Sequence, residues 1–420
     1  MSALYHKFVL ENGIRVVTER IPTLKSVTVG IWVNTGSRDE QPSQSGFSHF
    51  IEHMFFKGTE SRSATEISRE IDALGGEMNA FTTRETTTFY VKVLDQDLHR
   101  ALELLSDLFY RSRFDAKEVE KEKQVVLEEI RMVQDDPEDL VQELHTGQVL
   151  GRHPLGRSIL GREETIRSLR RQDLMAYVDV HYDPAQIVIA VAGNFEQAKL
   201  HSMVVHFFGN SRRAKRSYVN GRRPPELHGG VLLKKKPLEQ VHLCLGLKGI
   251  PAGHKDRYAA YALNSVLGGS VSSRLFQEVR EKRGLAYSIY SFLSGYSDSG
   301  TITVYAATRQ KEVDRVVDLI CREIRRMRAN GIERKELERA KNQMKGSLML
   351  SLESSHSRMS KLAKDELTHG KRTSLEEMLT HIDRVNEEQM FNVGRQLFKL
   401  DCLAITGLGP LPAHSLKEHR

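Results

Sequence analysis

His49-Phe50-Ile51-Glu52-His53 sets two imidazoles and a carboxylate within five residues. Residues four apart on a helix stand one above the other on the same face, so the two imidazoles can converge on one point. Glu52 lies close to that face. The flanking residues Phe47, Phe50, Ile51, Met54, Phe55 and Phe56 are apolar nearly all round the helix, which is the pattern of a buried segment. Ionisable groups in such a segment require partners, and a metal ion is the simplest one for a histidine pair. Neutral imidazole and carboxylate are usual donors to zinc, and H-x-x-E-H is the inverted form of the zinc-binding H-E-x-x-H. The expectation is one Zn2+ per chain, with Glu52 free to act on a proton as general base.

A zinc centre that does chemistry takes three protein ligands and keeps a fourth position for water. The third ligand must come from outside the motif helix. The stretch from Glu118 to Met132 has no Gly or Pro and many helix formers, so it is expected to be helical. One row of that helix runs Glu122, Val126, Glu129, Val133 and sets two carboxylates among apolar residues. The adjacent row, Lys121, Val125, Glu128, Met132, offers Glu128 instead. Periodicity does not choose between Glu128 and Glu129.

The elements that must hold these helices recur along the chain. Residues 27–33 resemble residues 241–247, and each run is followed by polar residues and an apolar helix. Residues 89–94 precede a helix with Leu98, Ala101, Leu102, Leu105 and Leu108 on one face; residues 302–306 precede one with Val313, Val316, Val317, Ile320 and Ile324. Residues 187–193 and 402–409 are apolar runs that each follow a helix and a short turn. Strands and helices alternate irregularly, and neighbouring strands are often hairpin-linked. The expected fold class is therefore α+β, with two structurally similar halves, each a mixed sheet packed by helices on one side. Residues 1–210 are expected to form the zinc-binding half, 211–230 a basic linker and 231–420 the second half. The second half has no H-x-x-E-H; its equivalent helix offers Tyr258, Ala259, Tyr261, Ala262, Leu263 and Val266, an ordinary packed face.

Composition narrows the class. A chain of 420 residues with 39% hydrophobic content can build two cores of ordinary size. No apolar run reaches the roughly 18 residues of a membrane span, so no membrane partner is expected. The N-terminus reads as a first strand running into an Asn12-Gly13 turn, with no secretory or transit pattern. Cys244, Cys321 and Cys402 form no C-x-x-C pair and suit a reducing, cytoplasmic setting. Cys244 and Cys402 lie in strand-like runs and are expected in the core. Much of the net charge of +7 falls on Arg212, Arg213, Lys215, Arg216, Arg222, Arg223 and Lys234 to Lys236. Only Tyr218 is interleaved there, and no nucleic-acid motif accompanies it, so this is read as a solvated linker and nucleic acid is excluded as a partner.

With these residues in view, the chain resembles the pitrilysin-type zinc peptidases, in the branch of mitochondrial processing peptidase and its bacterial relatives. The resemblance rests on H-x-x-E-H, on Gly75-Gly76-Glu77-Met78-Asn79-Ala80-Phe81-Thr82 and on the segment from Ser273 to Tyr287. It implies Glu129 as the third zinc ligand, with Glu122 one heptad earlier supporting the site. It implies a substrate-binding edge strand containing Asn79, Ala80, Phe81 and Thr82, and an Arg280/Tyr287 pair that reaches substrate from the other half. The implied activity is zinc-dependent endopeptidase cleavage of peptides or unstructured segments, inside a chamber closed by a clam-like fold. The other implied role is that of a non-catalytic peptide-binding or scaffold subunit. The presence of every motif position in one chain argues for the enzyme, acting as a homodimer of two identical chains.

Overall fold

Residues 27–33 are β-formers with apolar side chains on both faces, which is how a strand covered on both sides reads. In the computed structural model, which describes residues 4–209, 221–411 and Leu416, they form part of an inner strand of a six-stranded sheet. Its strands are β1 (Leu4–Val9), β2 (Arg15–Arg20), β3 (Ser26–Val33), β4 (Glu77–Thr82), β5 (Thr87–Leu94) and β6 (Ile187–Gly193), in the order β1-β2-β6-β3-β5-β4. Only β2 and β6 run parallel; every other pair is antiparallel.

The second sheet contains β7 (Gly230–Lys235), β8 (Val241–Lys248), β9 (Ala286–Gly295), β10 (Gly300–Thr308) and β11 (Ala404–Gly409), in the order β7-β11-β8-β10-β9. Here β7 and β11 are the parallel pair and the others are antiparallel. Strand for strand this is the order β2-β6-β3-β5-β4 again, so the α+β fold built twice is borne out. Among the described residues strand β1 has no counterpart in the second sheet. Strands β4 and β9 are equivalent edges.

The expectation of helices on one side needs correction. Alternate residues of a strand point to opposite faces. On β6, Ile187, Ile189 and Val191 enter the large core of the first unit. Val188, Ala190 and Ala192 enter a separate cluster with Val17, Trp32 and the helix Ser355–His369, through Met359, Leu362 and Ala363. That helix comes from late in the chain, yet it belongs to the first compact unit, formed by residues 1–131, 157–222 and 350–372. The second unit, residues 132–156, 223–349 and 373–420, has the reciprocal arrangement. Its helix Pro137–Leu150 packs Leu140 and Val141 against Cys244, Tyr305, Ala307 and Leu408. Each sheet is thus covered on its second face by a helix from the other half of the sequence.

Polar groups fix the late helix on the first sheet. Ser355 Oγ lies 2.9 Å from Thr28 Oγ1, and Trp32 Nε1–H donates to Met359 Sδ at 3.2 Å. A Cβ at Gly30 would stand 2.4 Å from that sulfur, so only glycine permits the approach. Buried Glu19 accepts from Arg358 and Arg372 at 3.2 and 2.9 Å, and buried Glu366 pairs with Lys7 and Arg15 at 2.8 and 3.3 Å. Burying these carboxylates is tolerable only because each has two cationic partners.

Two smaller expectations also change. Cys244 and Cys321 are buried, but Cys402 is exposed, because β11 starts two residues later at Ala404. Arg222 is not a solvated linker residue. It donates to Asp39 Oδ2 at 2.7 Å and to the Glu85 carbonyl at 2.8 Å, with its side chain only 12% exposed. Arg212, Arg213, Lys215, Arg216 and Tyr218 lie outside the described residues. Among the described residues no helix is long and apolar enough to cross a membrane.

Met359→Ala should destabilise the first unit by about 2–5 kcal/mol, the usual cost of truncating a fully buried side chain. The chain has one tryptophan, and it donates to this sulfur. Urea unfolding followed by Trp32 fluorescence should show an earlier transition and an altered native emission; an unchanged midpoint would contradict this packing.

Candidate metal centre

The motif helix, Phe47–Met54, follows Gly46, whose φ of 96° is left-handed backbone that favours glycine. A Cβ at Gly46 would stand 2.7 Å from the Leu160 carbonyl oxygen. Within the helix every residue is buried except His49, Glu52 and His53. Apolar contacts therefore fix its rotation, and the three chemical groups share the one face left open.

That face meets the helix Ala116–Asp135, which buries Val119, Glu122, Val126, Leu127 and Ile130. Glu129 lies on the inner row: its Oε2 is 3.6 Å from His49 Nε2 and 3.7 Å from His53 Nε2. Glu128 is on the outer row, exposed and paired with Arg131 at 2.9 Å. The two Nε2 atoms are 3.2 Å apart. Ligands about 2.0–2.1 Å from a tetrahedral zinc stand about 3.3 Å from one another, so the three atoms outline one face of such a site. Glu129 Oε2 is buried without a hydrogen-bond donor. A buried carboxylate oxygen left in that state is costly, and a cation would satisfy it. These residues are also the His/His/Glu group whose donor atoms lie within 4.8 Å of one another. The donor set and its spacing fit zinc.

The surroundings tune each group. Burial, and then neighbouring His53, push the His49 imidazole down to about 3, so it is a neutral lone-pair donor. Burial opposes charge on His53 too, but its hydrogen bond to Glu122 and the nearby carboxylates outweigh this and raise it. With Nε2 facing Glu129, the proton of His53 sits on Nδ1 and donates to Glu122 Oε1 at 2.8 Å. Lys57 Nζ donates to the other oxygen of Glu122 at 2.6 Å. Despite burial, these two partners pull the Glu122 carboxyl below its usual range. Glu52 is raised, chiefly by burial, although Thr82 opposes the shift. Thr82 Oγ1–H donates to Glu52 Oε2 and approaches the Ser48 carbonyl at 3.4 Å.

Thr82 ends β4, the edge strand, which among the described residues pairs only with β5. Asn79, Ala80 and Phe81 lie on it, and the Ala80 N–H is occupied by Asn79 Oδ1 at 2.8 Å. In the second unit, Arg280 and Tyr287 come together. The Arg280 guanidinium lies 4.8 Å from the Phe276 ring centre and 5.6 Å from that of Tyr287. Tyr287, near the start of edge strand β9, is 77% exposed. Sequence reasoning missed Lys57 and the Thr82 hydroxyl. Lys57 had a signal, since it follows His53 by four residues; the hydroxyl of Thr82 had none.

Two histidines from one turn of a buried helix and a carboxylate from a second helix thus form a group that could hold a metal ion, with Glu52 of the inverted motif beside them. Residues 15–163 match the family described as Insulinase (Peptidase family M16), and residues 168–344 match Peptidase M16 inactive domain. The uncharacterized zinc protease YmxG of Bacillus subtilis is 46% identical over 395 residues, 94% of this chain and 96% of that one. An uncharacterized zinc protease of Streptomyces coelicolor is 40% identical over 394 residues, 92% of this chain and 86% of that one. The crystal structure of a protease from Helicobacter pylori shares the fold, with a TM-score of 0.89 at 22% identity over 98% of this chain and all of that one. This chain belongs to peptidase family M16, the pitrilysin-type zinc peptidases.

Glu129→Gln should sharply lower zinc content, and Glu128→Gln should leave it unchanged. Metal analysis of both purified variants decides the matter; equal loss in both would mean that the inner row is misassigned.

Proposed function

We propose that the chain is a zinc-dependent endopeptidase that hydrolyses peptides and unstructured segments. The observation that carries this reading is the convergence of His49, His53 and Glu129 beside a glutamate, Glu52, that is not part of the ligand set. Zinc bound there would activate water and polarise the peptide carbonyl. Glu52 takes the proton of the attacking water and later gives it to the leaving amine; its raised pKa suits both tasks. Thr82 holds the Glu52 carboxylate in place meanwhile. Glu122 keeps His53 in the tautomer that leaves Nε2 free.

The peptide adds as a strand along Asn79 to Thr82 of β4. Main-chain bonds there are indifferent to sequence, and alternate side chains find pockets. Arg280 and Tyr287 bind the carbonyl and its developing negative charge when both halves of the chain close on the peptide as a chamber. Support for self-sufficiency is that one chain carries the metal residues and the Arg/Tyr pair, so two identical chains in the cytoplasm need no second kind of subunit.

Glu52→Gln should slow cleavage of a quenched unstructured peptide by about 10²–10⁴-fold with zinc content intact. Full activity, or loss of zinc, would remove Glu52 from this role. Tyr287→Phe and Arg280→Ala should slow turnover without changing zinc content, by up to about 10²–10³-fold for a lost oxyanion donor. Unchanged rates in both would leave the second half as scaffold.

A further inference from the structure

The motif helix has no capping side chain of its own, because its N-cap residue is Gly46. The cap comes from Glu40 instead. Glu40 Oε2 accepts the Gly46 N–H at 2.8 Å, and Oε1 accepts the Ser48 N–H at 2.8 Å. Both oxygens are thus committed to the first turn, immediately before His49. Glu40 is only 3% exposed. Burial pushes its carboxyl up to about 8, with the two N–H groups and then Arg157 pulling the other way. Arg157 also donates to the Glu40 carbonyl at 2.5 Å, which holds the main chain at that point. On the other side of the turn, Ser48 Oγ lies 3.1 Å from the hydroxyl of buried Tyr177. The first N–H groups of a helix have no partner within it, and the two carboxyl oxygens of Glu40 supply acceptors for two of them. Glu40 is held from both ends, so it also sets where the helix begins and how it is rotated.

We infer that Glu40 is a positioning residue of the metal centre: through the Gly46 and Ser48 N–H groups it fixes the first turn of the motif helix, and so places His49 against His53 and Glu129. A rotation of that turn by even part of a residue would move the His49 ring away from the shared point, while the rest of the helix stayed packed. Support of this outer kind is commonly worth about 10–100-fold in metal affinity or activity.

The test uses two full-length variants. Glu40→Gln keeps the size but replaces one acceptor oxygen with an NH2 group; Glu40→Asp keeps the carboxyl group but is too short to reach both N–H groups. Zinc affinity by chelator competition, the visible spectrum of the cobalt-loaded protein, near-ultraviolet circular dichroism, and kcat and KM on a quenched peptide are measured for each. The expected result is zinc affinity weaker by about tenfold or more, an altered cobalt spectrum and a lower kcat, with KM within about twofold and a native dichroism signal. A folded variant of either kind with zinc affinity and cobalt spectrum as in the wild type would overturn the inference. Loss of the dichroism signal in both variants would assign Glu40 to folding and overturn it as well. The kcat arm rests on the peptidase reading above; the affinity and cobalt arms do not. If wild-type protein binds zinc but cleaves no peptide, that reading fails while Glu40 is still judged by the metal.

Discussion

The hydrogen bond between His53 Nδ1 and Glu122 Oε1, 2.8 Å long, joins the two helices on which the centre depends. Glu122 and Glu129 are seven residues apart on one helix row, which spans about 10.5 Å along the axis. That length straddles an imidazole ring and its bonds on both sides. Once Glu122 grips the Nδ1 side of His53, Glu129 falls on the Nε2 side, where His49 already points. One bond therefore fixes a tautomer, a helix register and the site of the third donor. Lys57, on the far oxygen of Glu122, keeps that carboxylate ionised and in place.

This precision requires that neither helix can slide. The motif helix buries every residue except His49, Glu52 and His53, and its first turn is tied to Glu40. The sheet beneath is packed on both faces, and the second face is closed by a helix that arrives some 160 residues after β6. Buried Glu19 and Glu366 each need two cations to make that docking tolerable. Trading helices between the two sheets ties the first unit to the remote end of its own chain.

Much of this was legible in the sequence, unevenly. Spacing alone marked His49, Glu52 and His53, because helix geometry forces residues four apart onto one face. The strand runs at 27–33, 187–193 and 241–247 stood out because strands buried on both faces need apolar residues throughout. Periodicity left Glu128 and Glu129 open, because each row of their helix contained apolar residues; burial of Val126 and Ile130 against exposure of Met132 settles which row faces in. The exchanged helix was not legible. Met359, Leu362 and Ala363 sit among lysines and acids, and no local signal says which sheet they cover. Glu40 was equally silent, since its partners are main-chain N–H groups that carry no sequence signature. Arg222 was hidden in a run of like charges, where only three-dimensional neighbours distinguish an anchor from a solvated side chain.

The whole arrangement turns on one zinc ion held by two imidazoles of a single helix turn and a carboxylate from another helix. X-ray absorption at the zinc edge of the loaded protein measures this most directly. The expected spectrum has a first shell of nitrogen and oxygen only, at about 2.0–2.2 Å, with the outer-shell scattering of two imidazoles. A sulfur scatterer near 2.3 Å, or scattering from fewer than two imidazoles, would contradict it.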